Sequence, residues 1–169
     1  IVDVSNPYAP YTISSLAINK IYSTYVQGRY AYVANENGNT LTVVDLNDIN
    51  NPKVVGSVAV GSWAQDVYVQ GGYAYVTNYS SDSVSIVDVS DPTSPAVTAT
   101  YALQAWDGPC DIVVSGRYAY VSAYDSASLL VLDVGDPANP SLVARTAGSW
   151  ASGAWGLDVQ GQDVFMTSW

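Results

Sequence analysis

Two short patterns recur along this chain at one shared period, and that period limits the fold more than any other feature. The first is a glycine-led aromatic pattern: Gly28-Arg29-Tyr30-Ala31-Tyr32-Val33, Gly71-Gly72-Tyr73-Ala74-Tyr75-Val76, Gly116-Arg117-Tyr118-Ala119-Tyr120-Val121 and the weaker Gly161-Gln162-Asp163-Val164-Phe165-Met166. Its spacings are 43, 45 and 45 residues. The second is an apolar-Asp-apolar triplet: Val2-Asp3-Val4, Val44-Asp45-Leu46, Val87-Asp88-Val89 and Leu132-Asp133-Val134. A turn rich in Ser, Asp, Asn and Pro follows each triplet, as in Ser5-Asn6-Pro7, Ser90-Asp91-Pro92 and Gly135-Asp136-Pro137. Two independent anchors on one period mean that a single supersecondary unit is repeated.

Each unit holds four short strand candidates. In residues 61–104 they are Ala64–Gln70, Tyr73–Asn78, Ser83–Val89 and Ala96–Leu103, rich in Val, Ile, Tyr and Thr and bounded by turn residues. No window shows sustained helical periodicity. A period of 40–45 residues carrying four strands is that of a β-propeller blade. Blades are covered on both faces, which accounts for continuous apolar runs such as Leu129-Leu130-Val131-Leu132. The expectation is an all-β propeller of four-stranded antiparallel blades, one domain over 1–169. Its repeats fall at about 18–60, 61–104 and 105–148, with a fourth made of 149–169 and 1–17. That fourth blade would close two strands from one end of the chain onto two from the other, removing the sheet edges. The alternatives are an arc of a larger propeller, terminal half-blades that pair between molecules, and a β-sandwich.

The residues carry a resemblance. Tyr30-Ala31-Tyr32-Val33-Ala34-Asn35, followed by Leu41-Thr42-Val43-Val44-Asp45-Leu46 and Asn51-Pro52, resembles the LVIVD repeat family, as does Tyr118–Val121 with Leu130–Pro137. Tyr75-Val76-Thr77-Asn78 with Val84-Ser85-Ile86-Val87-Asp88 is similar to the YVTN repeats of archaeal surface-layer propellers. The resemblance covers essentially the whole chain. It implies a propeller fold, a secreted or cell-surface setting, and binding or structural work, and it brings no catalytic motif.

Composition narrows the chemistry. The formal charge is −10, with 15 acidic and 5 basic side chains and no histidine. An acidic chain lacks the basic face that nucleic acid requires. Without histidine, the usual general base and the commonest zinc ligand are missing. One cysteine, Cys110, excludes an internal disulfide and reads as a small buried hydrophobe. No run of apolar residues is long enough for a membrane-spanning helix, and no signal-peptide pattern opens the chain. Because Ile1 lies inside an apolar run, a processed form or a fragment is expected. The acidity is almost all aspartate, with Glu36 the one glutamate and Lys20 and Lys53 the two lysines. A surface of Ser, Thr, Asn, Gln and Tyr fits an extracellular or cell-surface setting.

Several residues are candidates for chemistry. Asp66 and Asp111 occupy matching positions at the start of the innermost strand, where Ser23 and Gly156 stand in the other repeats. They could line the channel as an acid/base pair, or bond to backbone. Trp63, Trp106 and Trp150 precede successive innermost strands, with Trp155 inside the last. Indole rings near carboxylates equip a sugar-binding face; the alternative is packing between blades. Trp169 ends the chain and reads as a strand residue. Asp3, Asp45, Asp88 and Asp133 could bind calcium, but a strand-end Asp more simply fixes the following turn, so no metal and no cofactor are expected. Asn78-Tyr79-Ser80 is a glycosylation sequon. Arg29, Arg117 and Arg145 are isolated and form no anion clamp.

The expected function is a non-enzymatic extracellular scaffold for contact with other surface proteins or with itself, as an array or filament. The alternatives are a carbohydrate-binding propeller using Trp63, Asp66, Trp106, Asp111 and Trp155, and a polysaccharide hydrolase or lyase acting through Asp66 and Asp111.

Overall fold

The computed structural model describes residues 1–147 and 153–168. Among them there are sixteen strands and no helix. In order they are β1 (Val2–Asp3), β2 (Tyr11–Thr12), β3 (Ile21–Gln27), β4 (Tyr30–Asn35), β5 (Thr40–Asp45), β6 (Lys53–Ala59), β7 (Ala64–Gln70) and β8 (Tyr73–Asn78). There follow β9 (Ser83–Asp88), β10 (Ala96–Ala102), β11 (Pro109–Ser115), β12 (Tyr118–Ala123), β13 (Ser128–Asp133), β14 (Ser141–Ala147), β15 (Ala154–Gln160) and β16 (Asp163–Ser168).

They form three four-stranded antiparallel meanders, β3–β6, β7–β10 and β11–β14, flanked by the two-stranded sheets β1–β2 and β15–β16. The local cause is a tight turn after each first strand. Gly28, Gly71, Gly116 and Gly161 all take φ near +60°, which glycine reaches without a Cβ penalty. Register then repeats: Tyr30 faces Asp45, Tyr73 faces Asp88 and Tyr118 faces Asp133.

The core lies between successive sheets. Tyr32, Leu41 and Val43 of the first pack against Val67, Val69 and Val76 of the second. Tyr75, Val84 and Ile86 on the other face of the second pack against Ile112, Val121 and Leu130 of the third. A sheet covered on both faces needs apolar side chains at consecutive positions, so strict alternation is lost. Each fourth strand lies at the outer edge and is largely exposed, as in β10. Its pairing with the third strand is interrupted by a register shift that disrupts a clean edge.

The expected two-plus-two closure does not form: β1–β2 and β15–β16 are separate sheets. Charge gives a reason. In the register of the complete sheets, Asp3 would sit opposite Asp163, which replaces the tyrosine found there in the other repeats. Like charges directly across a strand pair are destabilising. The outermost first and second strands are left uncovered, exposing Ile21, Tyr22 and Val26 on β3 and Phe165 on β16.

Candidate functional site

The first strands β3, β7, β11 and β15 all contribute to one cavity of about 230 Å³. Each departs from regular pairing near its start, and the bulge turns consecutive residues toward the cavity: Tyr22 and Ser23, Gln65 and Asp66, Cys110 and Asp111, then Trp155. The sequence candidates Asp66, Asp111 and Trp155 are thereby brought together.

The aspartates join adjacent sheets. Asp66 Oδ2 accepts the Ile112 backbone N–H at 3.0 Å, and its other oxygen accepts the Ser23 hydroxyl. Asp111 Oδ2 accepts the Leu157 N–H at 2.7 Å. A second relay runs beside this one. The Asp66 N–H donates to Thr77 Oγ1, whose hydroxyl donates to the Cys110 carbonyl. The Asp111 N–H donates to Ser122 Oγ, whose hydroxyl donates to the Trp155 carbonyl. Burial, then the contact with Asp66 and its charge, push the Asp111 carboxyl up to about 7 against the opposing N–H groups of Leu157 and Ile112.

Above the carboxyls lies an aromatic cup, also of about 230 Å³, in which Trp63, Tyr79 and Tyr124 join Tyr22, Gln65 and Trp155. Trp63 meets Tyr79 edge-on at 5.3 Å between ring centroids, and Tyr124 meets Trp155 edge-on at 5.6 Å. Trp63 has φ +63° and Trp106 has φ +68°, left-handed values that are costly for bulky residues. A turn residue of the preceding sheet holds each one. Asn39 Oδ1 accepts the Trp63 N–H at 2.8 Å, and Asp82 Oδ2 accepts the Trp106 N–H at 3.0 Å. The packing assignment fails most clearly for Trp106, which is 81% exposed. It lines a neighbouring cleft rather than the mouth that the cavity and the cup form together. Trp150 and Trp169 lie outside the described residues.

The remaining candidates are explained by local bonds. Asn78 is fully buried, and its side-chain nitrogen donates to Ser85 Oγ at 2.9 Å and to Ser83. This corrects the sequon assignment, because that nitrogen is the one a glycan would need. Asp3, Asp45, Asp88 and Asp133 each accept the N–H two residues on, closing the strand-end turn. No acidic group suited to a metal occurs among the described residues. Arg29, Arg117 and Arg145 pair with Asp45, Asp133 and Asp107. Cys110 is buried, and burial followed by the charges of Asp125 and Asp111 pushes its thiol up to about 12.

Sequence reasoning missed Tyr22, Gln65, Tyr79 and Tyr124. A signal was present for two of them. Tyr79 and Tyr124 directly follow the second strand in successive repeats, where the first repeat has Glu36.

The LVIVD repeat profile matches residues 20–60, 61–102 and 109–147. No curated protein sequence matches the chain. Among solved structures, hydrazine synthase of Kuenenia stuttgartiensis superposes with a TM-score of 0.69 at 25% identity, over 86% of this chain and 40% of that one. The periplasmic gluconolactonase PpgL of Pseudomonas aeruginosa superposes at 0.67 and 18% identity, over 82% and 46%. The computationally designed Ika4 superposes at 0.73 and 11% identity, over 92% and 89%. This chain thus spans less than half of either natural protein. The expectation that it is no enzyme is corrected: structures of enzymes share its fold, which gives no ground for excluding catalysis.

Proposed function

The chain belongs to the LVIVD repeat family, and on that footing we propose that the mouth between its first strands binds a sugar ring. The observation that carries this reading is the aromatic cup of Tyr22, Trp63, Tyr79, Tyr124 and Trp155 set above Gln65, Asp66 and Asp111. An indole or phenol ring covers the apolar face of a pyranose, while amide and carboxyl oxygens take its hydroxyls. Gln65 is suited to this work, since its side-chain nitrogen has only the Cys110 sulfur, at 3.5 Å, as partner among the described residues. Among the described residues no cationic side chain lines the mouth, so the favoured ligand carries no acid group. Calorimetric titration with a panel of neutral sugars tests the reading, with product analysis of the same mixtures to measure turnover. Saturable binding that weakens at least tenfold in Trp63→Ala, with circular dichroism unchanged, is expected. Absence of binding across the panel, or equal binding by the variant, overturns it.

A second reading is contact between copies, or with other surface proteins, through the open sheet faces. Thr167 favours it. Thr77 and Ser122 donate to the carbonyl of the next sheet, whereas Thr167, at the same place in β16, turns back to its own hairpin's Gly156 carbonyl at 3.4 Å. A second copy's β3 would offer the missing carbonyl, and such head-to-tail contacts build rings or filaments. The Asp-rich, Lys-poor composition supports an extracellular or cell-surface setting for this role. Sedimentation at high concentration is the test. Association that Phe165→Asp abolishes is expected, and a wild type that stays monomeric overturns the reading.

A further inference from the structure

Beside the mouth lies a second cleft of about 440 Å³, lined by Tyr79, Ser80, Asp82, Ala105, Trp106 and Asp125. Tyr79 lines both depressions, so the cleft and the aromatic cup adjoin across one ring. Its walls are built rather than incidental. Asp82 spends both oxygens on backbone, accepting the Trp106 N–H at 3.0 Å and the Gly108 N–H at 2.8 Å. That pair of bonds fixes the loop carrying Trp106 in its left-handed turn. Asp125 Oδ1 accepts the Tyr79 hydroxyl at 3.1 Å, which holds the shared ring. Gly108, at φ +57°, lets this loop approach so closely that a Cβ there would lie 2.4 Å from Asp125 Oδ2. The result is an indole 81% exposed on a backbone held at both sides. Such an indole is a ready stacking plate that loses little freedom on binding.

Resting on the reading of the mouth as a sugar site, we infer that the ligand is an oligosaccharide free of acidic groups. One residue occupies the aromatic cup and a further residue stacks on Trp106. The carboxylates Asp82 and Asp125, with no cation lining the cleft among the described residues, disfavour uronic acid or sulfated units. Ser80 and Asp125 supply hydroxyl-scale hydrogen bonding beside the indole.

The test is a length series. Neutral glucan and N-acetylglucosamine oligomers of one to six units are titrated calorimetrically into the wild-type chain, with oligogalacturonides as the acidic control. Affinity for the better neutral series is expected to rise at least tenfold between one and four units, with no binding of the acidic control. Trp106→Ala, and Trp106→Gly, which accepts the left-handed turn without strain, are expected to lose that gain and keep the affinity for one unit. Wild-type affinity that stays flat with length, or variants that keep the full gain, overturns the second subsite and leaves the mouth reading standing. No binding at any length overturns both.

Discussion

Asp66 accepts a hydrogen bond from the backbone N–H of Ile112, at 3.0 Å and 46 positions away, so a side chain of one sheet completes the ladder of the next. Asp111 repeats the contact on Leu157 at 2.7 Å, again across 46 positions. Where the repeat has Ser23 instead, the direction reverses and the hydroxyl donates to Asp66.

Asp66→Ala is expected to destabilise the fold by about 2–3 kcal/mol, because two charge-assisted hydrogen bonds go and the Ile112 N–H loses its partner. Urea unfolding monitored by tryptophan fluorescence measures it. A change below 0.5 kcal/mol, on the order of a surface substitution, would show the link to be incidental.

Stability is expected to fall as pH rises from about 4 to about 7. Asp111 is pushed up to about 7 in the fold, so across this window the native state binds more protons than the unfolded chain. A proton excess in the native state makes stability decline with pH. Asp45, Asp88 and Asp133 act oppositely. Arg29 and the Asn47 N–H hold Asp45 low, Ser90 holds Asp88 low, and Arg117 with the Gly135 N–H holds Asp133 low. Their contribution is present above the ordinary carboxylate range and lost below it. Thermal unfolding of Asp111→Asn against pH should lack most of the decline seen in the wild type; an identical slope would remove Asp111 as its source.

Arg145→Met is expected to cost about 3–5 kcal/mol, the usual penalty for leaving a buried charge without its partner. Asp107 is 1% exposed and accepts from both Arg145 and the Gln104 N–H. Pairing Arg145→Met with Asp107→Asn should recover part of the loss, which a double-mutant cycle reads directly.

Cys110 is expected to resist a thiol reagent at pH 8 in the folded protein and to react fully in denaturant. Its side chain is buried, and the thiol pushed up to about 12 leaves almost no thiolate at that pH. Rapid labelling of the native chain would show that the mouth opens further than the structure describes.

The strands of residues 61–104 were legible to within a residue, because a turn glycine, a strand-end Asp and a run of β-branched residues are local signals. Half of the residues lining the candidate site stood out as well. Asp66 and Asp111 stood out by their equivalence, and Trp63 and Trp155 as aromatic residues near the first strands. Tyr79 did not, because it follows a strand already dense in tyrosine and reaches the mouth only through the turn after Asn78. Asn78 misled for a related reason: a sequon is three residues of local pattern, whereas the burial of its amide depends on Ser83 and Ser85 of the next strand.

Local pattern was enough to set the repeat, the four strands of each central unit and the turn chemistry between them, all of which rest on residues near one another in the chain. Tertiary structure alone decided that Asp66 bonds to Ile112 and that five aromatic rings meet over the carboxyls. It also decided that Trp106 stands in solvent rather than between sheets, and that the two terminal hairpins stay apart. These outcomes depend on how one sheet is set against the next. They rest on contacts such as those of Asp66 with Ile112 and Asp111 with Leu157, each 46 positions apart, which local pattern does not connect.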